Sequence, residues 1–224
     1  MKKPIVVIDG PSGAGKSTVG KLLAKDIGYL YIDTGAMYRA IGLKAVREGL
    51  QLKESDALRG LCASTEVRLV QDSGGFKVYL DDEDVSEAIR TPEMGMAASA
   101  VSAQPCVRER LLQLQRNLGE GGGVVLEGRD IGTVVFPEAE VKFYLDANVE
   151  ERARRRWKEF REKGIETDLR KTIEEVSKRD YDDSHREIAP LKRAADAVVV
   201  DSSGLSINEV VALMKEKVLE VAGN

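Results

Sequence analysis

The chain has 224 residues but a single histidine, His185, and two cysteines, Cys62 and Cys106, far apart in sequence. With no Cys-x-x-Cys pair and no Cys/His cluster, neither a zinc site nor a disulfide framework can organise the fold. The thiols read as reduced and cytosolic. A strong charge of either sign is also missing: 34 Lys and Arg stand against 38 Asp and Glu, a net charge of −4 that leaves no overall footprint for DNA, RNA or an anionic membrane. No apolar stretch approaches a membrane span, and the N-terminal run reaches Asp9 too soon for a signal peptide. A cytoplasmic protein is expected, free of internal repeats and low-complexity tracts, and long enough to bury one sizeable core.

What is present is Gly10-Pro-Ser-Gly-Ala-Gly-Lys16-Ser17, which follows the apolar run Pro4 to Asp9 and opens the helical pattern Lys16 to Ile27. This is G-x-x-x-x-G-K-[ST] in its required context of strand, glycine loop and helix. The alternative, an ordinary glycine turn between strand and helix, is disfavoured because motif and context agree. The loop can fold with successive N–H groups pointing inward, wrapping a phosphate chain at the positive end of a helix. Lys16 would neutralise the β- and γ-phosphates of ATP, and the Ser17 hydroxyl would hold Mg²⁺.

Further along, Tyr29 to Asp33 reads as a strand leading into a helix capped by Asp33 or Thr34 and continuing to Gly49. A short helix starts at Ser55-Asp56. Alternation at Val67, Leu69, Phe76, Val78 and Leu80 about the turn Asp72–Gly75 predicts a hairpin, which fits a parallel sheet poorly. Residues 66–91 are therefore expected to form an inserted subdomain, with 1–65 and 92–224 as the core. Helices are expected from Pro92 and on through Arg116, then strands at 124–127 and 141–145. A basic helix covers 150–163, and another covers 168 to about 179 and leads to the charged run Arg179 to Arg186. A fifth strand at 197–201 and a terminal helix at 206–221 complete an α/β fold with a five-stranded parallel sheet flanked by helices.

A phosphate loop leaves open a phosphotransferase, a nucleotide-switched regulator or an ATP-driven machine part. No Asn-Lys-x-Asp run supports a guanine switch, and the glycine spacing is not that of a dinucleotide oxidoreductase. Arginines, however, gather at strand ends and helix starts: Arg39, Arg129, Arg152 to Arg156, Arg179 and Arg186. Each alone reads as a solvated surface residue, but jointly they suit a second phosphate beyond the carboxyl ends of the strands. Transfer between phosphates needs no general base, because the attacking oxygen is already ionised at neutral pH, which agrees with the lone histidine. The basic run from Arg152 can be a solvated helix face, a nucleic-acid patch or an arginine lid. Too few aromatics interleave it for nucleic acid, and beside the phosphate loop the lid reading is preferred.

At this point the chain resembles the bacterial cytidylate kinases. The likeness is carried by 8–17 (IDGPSGAGKS), 33–39 (DTGAMYR), 127–137 (EGRDIGTVVFP), 178–180 (KRD) and 188–191 (IAPL), and spans nearly the whole length. It implies transfer of the γ-phosphate of ATP to CMP or dCMP, with Mg²⁺, by a monomer that acts on small molecules and binds neither nucleic acid nor membrane. It also implies a lid over about 154–165. Carried over residue by residue, Gly10, Pro11, Ser12, Gly13, Ala14, Gly15, Lys16, Ser17 and Thr18 look like the ATP site. Lys16 and Arg129, with Arg154 and Arg156 of the lid, look like the catalytic cations. Arg39, Arg129 and Arg186 resemble ligands of the acceptor phosphate, with Thr34 nearby. Ser99, Arg108 and Asp130 resemble the cytosine readers, and Arg179 and Asp183 the pair that meets the ribose. Without the likeness Ser99 is a small residue in a packed helix, and Asp130 an acid salt-bridged to Arg129 or a neighbour. Glu127 stands where many relatives of the wider group carry Asp, so the acid that orients Mg²⁺ through water stays unassigned.

Overall fold

A computed structural model of the chain describes residues 3–72, 75–162 and 164–223. Their packing divides the chain into one compact unit made of residues up to Leu30 and from Gly121 onward, and a second made of Tyr31–Glu120.

The first unit is built on β1 (Ile5–Asp9), whose five residues are all buried. Its four apolar residues, Ile5 to Ile8, are β-branched and suit a strand covered on both faces. It lies in parallel register between β6 (Val124–Gly128) and β7 (Val141–Asp146), and β7 pairs in turn with β8 (Val198–Asp201). With β2 (Leu30–Asp33) the sheet order is β2-β6-β1-β7-β8. The registers place Asp9 beside Gly128 and Tyr144, and Asp146 beside Asp201, so the chain leaves these strands along one edge. In an open α/β sheet that carboxyl edge is where ligands bind. The expected parallel sheet is therefore present.

Helix α1 (Lys16–Ile27) starts at Gly15 with neither a side-chain cap nor an acid in its first turn, which leaves its N-terminal N–H groups available to an anion. Its buried face, Val19, Leu23 and Ala24, packs against β6 and α8 (Ile207–Gly223). Phe143, Ile8, Leu23 and Leu126 are wholly enclosed, each worth about 2 kcal/mol of transfer free energy.

Two elements differ from expectation. Helix α7 runs Leu169–His185 rather than ending near Arg179, so the charged run 179–185 is helical and only Arg186 lies beyond it. The bonds that extend it are side-chain pairs: Lys178 meets Asp182 four residues on at 2.5 Å, and Asp183 is buried. Residues Ile131–Val135 form a single π-helical turn that no periodicity announced. The basic helix α6 is described over Val149–Glu162, and Lys163, the last residue of the expected span, lies outside the described residues.

The second unit holds α2 (Thr34–Arg47), in which the Asp33 carboxylate accepts the N–H of Ala36 as a cap, and α3 (Asp56–Ser64), capped by Ser55. A small antiparallel sheet follows, of β3 (Val67–Asp72), β4 (Gly75–Leu80) and the two-residue β5 (Glu83–Asp84). The span 66–91 falls inside this unit. The centre of the expected turn, residues 73 and 74, lies outside the described residues. Helices α4 (Pro92–Ser102) and α5 (Pro105–Gly119) each begin on a proline, whose missing N–H costs nothing at that position. Among the described residues no helix is long and apolar enough to cross a membrane.

Candidate active site

The glycine loop between β1 and α1 is shaped by close approach. Gly10 has φ +151°, and a Cβ there would lie 2.0 Å from the carbonyl oxygen of Leu145, so any side chain would displace β7. Gly13, at φ +77°, lies against the first turn of α6, where a Cβ would come within 2.8 Å of the Arg152 carbonyl oxygen. Lys16 is buried, and its Nζ donates to the carbonyls of Gly10 at 2.8 Å and Pro11 at 2.7 Å. Burial first, then the nearby Arg129 guanidinium, lowers its pKa to about 7, while Glu127 and Asp9 act in the other direction.

Asp9, the last residue of β1, accepts the N–H of Ile131 at 3.0 Å and of Gly132 at 2.7 Å, and so pins the π turn. Burial raises its pKa to about 6, although both N–H groups favour the carboxylate and so lower it.

Around this loop the first unit assembles the expected cations with carboxylate partners. Arg129 donates through Nε to Asp183 at 3.0 Å, and Asp183 also lies 3.9 Å from Nε of Arg179. Nη1 of Arg179 reaches Ser12 Oγ at 3.5 Å. Arg186 donates through Nη2 to Asp130 at 3.1 Å and through Nε to the Ala189 carbonyl at 2.7 Å. Asp130 therefore pairs with Arg186. Asp130 and Asp183 are buried, so their charges hold the guanidinium groups in fixed positions.

The arginines of α6 separate into two kinds. Arg152, buried, donates to the carbonyls of Ala147 at 2.7 Å and Ser12 at 3.0 Å and to the carboxylate of Asp180. Arg155 donates to the Ala14 carbonyl at 3.4 Å and to the Ser202 carbonyl at 2.9 Å. Arg154 is exposed, and Arg156 lies over the ring of Phe160, 4.7 Å from its centroid. So the base of the basic helix braces the glycine loop, while the two arginines expected to be catalytic face other surroundings.

In the second unit, Arg39 pairs with Asp33 at 2.7 Å beside the buried Thr34. Arg108 is buried, donates to the Ser102 carbonyl at 3.1 Å and lies 5.8 Å from the Tyr38 ring centroid. Ser99 is half-buried, and its carbonyl accepts the Ser102 hydroxyl at 2.9 Å. The acceptor residues foreseen in 31–120 thus cluster on α2, α4 and α5, and those of the first unit around Asp130 and Asp183.

Sequence reasoning gave no role to Asp9 or Asp180, and it placed Arg152 and Arg155 only in the run read as an arginine lid, whereas both donate to carbonyls of the glycine loop. Asp180 stands within the quoted KRD run, the one signal that pointed to it. As for magnesium, among the described residues no group of three or more His, Cys, Asp or Glu could hold a metal by itself. Mg²⁺ binds mostly through water and phosphate oxygens, so the exposed Ser17 hydroxyl at the start of α1 fits that manner of holding it.

A lysine-bearing glycine loop on an uncapped helix, at the carboxyl edge of a parallel sheet, defines a P-loop nucleotide-binding fold. The fold is shared with a gluconokinase from Sinorhizobium meliloti (TM-score 0.50, 15% identity, covering 100% of this chain and 95% of that one). It is likewise shared with a shikimate kinase from Bacteroides thetaiotaomicron (TM-score 0.50, 13% identity, 96% and 97% covered). The chain belongs to the cytidylate kinase family: the family model of that description matches residues 6–220. The cytidylate kinase of Geobacter sulfurreducens is 55% identical over 96% of this chain and 93% of its own, and that of Enterococcus faecalis 50% identical over 96% and 95%.

Proposed function

We propose that the protein transfers the γ-phosphoryl group of ATP to CMP or dCMP, releasing ADP and CDP or dCDP. The observation that carries this reading is Lys16 in its glycine loop, accompanied in the same unit by buried or half-buried Arg129, Arg179 and Arg186 that Asp183 and Asp130 hold in place. One set of donors suits a triphosphate and the other a second phosphate.

The loop from Gly10 to Thr18 cradles the ATP phosphates, through N–H groups from Gly13 onward, and Lys16 leaves its carbonyl partners to meet the β- and γ-phosphates. Ser17 would hold Mg²⁺, which would supply further neutralisation of the triphosphate charge. An oxygen of the acceptor phosphate forms the new bond to the γ-phosphorus as the bond to the β,γ-bridging oxygen breaks, and no proton has to move. Arg129, Arg186 and Arg39 bind the acceptor phosphate, and Arg154 and Arg156 close over the moving group. The work is alignment plus electrostatics. Asp130, joined by Ser99 and Arg108, reads cytosine. The amino group of the base donates to a carboxylate, whereas uracil would set a carbonyl against it and leave buried polar groups unmatched. Arg179 and Asp183 meet the ribose. The span 66–91 serves as the monophosphate-binding insertion and about 154–165 as the lid. A cytoplasmic monomer completes the reading, in keeping with the free thiols of Cys62 and Cys106.

The test is ADP release with each nucleoside monophosphate in turn. CMP and dCMP should give the highest kcat/KM, well above UMP and AMP. Release that ignores the acceptor, or is greatest with AMP, would refute the assignment.

A further inference from the structure

We infer that Arg152 and Asp180 form a positioning pair that fixes the shape of the triphosphate loop before nucleotide arrives, by taking up both backbone polar groups of Ser12. The inference rests on the reading of that loop as the ATP site.

Ser12 sits at the turn of the loop and is buried. Its N–H donates to Oδ1 of Asp180 at 3.2 Å, and its carbonyl accepts from Nη1 of Arg152 at 3.0 Å. That same guanidinium nitrogen donates to the other carboxylate oxygen of Asp180. The four groups therefore close a ring: backbone donor to acid, acid to base, base to backbone acceptor. A buried N–H or carbonyl left unmade is costly, so the loop is held in the one shape that satisfies both.

The ring is tied to the scaffold. Nε of Arg152 donates to the Ala147 carbonyl at 2.7 Å, just past the end of β7, and Asp180 is carried by α7. The next loop residue, Gly13, approaches the Arg152 backbone so closely that no Cβ would fit. Arg152 is only 7% exposed, and its Nε and Nη1 are spent on these partners. It is thereby a brace behind the loop rather than a mobile lid cation that contacts phosphate.

A loop already ordered pays less conformational entropy when ATP binds and presents its N–H groups in place. Asp180→Asn keeps an oxygen for the Ser12 N–H but removes the closer carboxylate from Arg152, leaving it Asp146 at 3.9 Å. Arg152→Lys keeps the charge but loses the fork that reaches Ala147, Ser12 and Asp180 together. In the full-length protein, each variant should raise KM for ATP and the Kd of a non-hydrolysable ATP analogue about tenfold, with KM for CMP within about twofold. The double variant should be no worse than the poorer single one, because the two residues act as one device. A folded variant that keeps wild-type ATP affinity overturns the inference, as does an equal loss of ATP and CMP affinity, which would mark general loosening. Should Asp180→Asn not fold, Arg152→Lys decides. If the wild-type chain binds no ATP analogue, the reading of the loop fails and this inference with it; if the wild type binds and the variants match it, only this inference fails.

Discussion

The phosphate loop and the residues of 31–120 assigned to cytosine through family likeness are built on different principles. The loop offers backbone groups, shaped by glycines at positive φ and braced from outside by Arg152, Asp180 and Arg155. Thr34, Arg39, Ser99 and Arg108 offer side chains carried on three helices, with Arg39 held by Asp33 and Arg108 by the Ser102 carbonyl. Backbone sites bind any nucleotide with a triphosphate. Side-chain sites can tell one base from another, since each donor or acceptor can be matched to the edge it meets. If the proposed roles hold, changes in the loop should act on turnover, and changes at the proposed cytosine readers on the choice of base.

The strongest way to break that division is at Lys16. Lys16→Ala removes the cation that meets the transferring phosphoryl and should lower kcat by about 10² to 10³-fold, with CMP affinity little changed. A variant that is folded by circular dichroism yet turns over normally would end the assignment. Asp130→Ala sharpens the same comparison from the other side. The ratio of kcat/KM for CMP over UMP should fall about tenfold or more, by a larger factor than the turnover with CMP itself. An unchanged ratio would remove Asp130 from base recognition.

A smaller effect is expected at Asp9, which joins β1 to the π turn behind Arg129 and Asp130. Its folded-state pKa, about 6, lies above the ordinary 3.8 because of burial, so the native state holds the proton more tightly than the unfolded chain does. Stability from this group is complete below pH 3.8 and is lost as pH rises through about 6. Between pH 4 and 6 the melting temperature of the wild type should therefore fall relative to that of Asp9→Asn, by about 5 °C. Parallel melting curves across that window would show that Asp9 does not carry this penalty.

What was legible in the sequence was local. Residues 5–27 spell buried strand, glycine loop and helix in one uninterrupted run, and the apolar strands 124–128 and 141–146 announce a sheet by composition alone. The arginines at strand ends were visible as a set, because phosphate chemistry asks for them there. Non-local devices were not. The run 179–185 reads only as a charged run until Asp183 finds Arg129, some 54 residues earlier in the chain, and becomes part of a helix face. The turn Ile131–Val135 takes its shape from Asp9, over 120 residues away. Arg152 and Asp180 carry no distinguishing spacing: one sits in a basic run and the other in a charged one, and only folding sets them on either side of Ser12. The cytosine readers in 31–120 were named through family likeness, since a serine in an alanine-rich helix has no chemistry of its own to declare.

The central claim is that this protein engages ATP and a cytidine monophosphate at the same time, end to end. Binding of a single molecule in which adenosine and cytidine are joined through five phosphates, followed by calorimetry in the presence of Mg²⁺, tests it most directly. The account predicts one equivalent bound at least about a hundredfold more tightly than ATP or CMP separately, with competition by both nucleotides and a weaker fit for the uridine counterpart. Affinity no better than that of ATP, with CMP unable to compete, would contradict it.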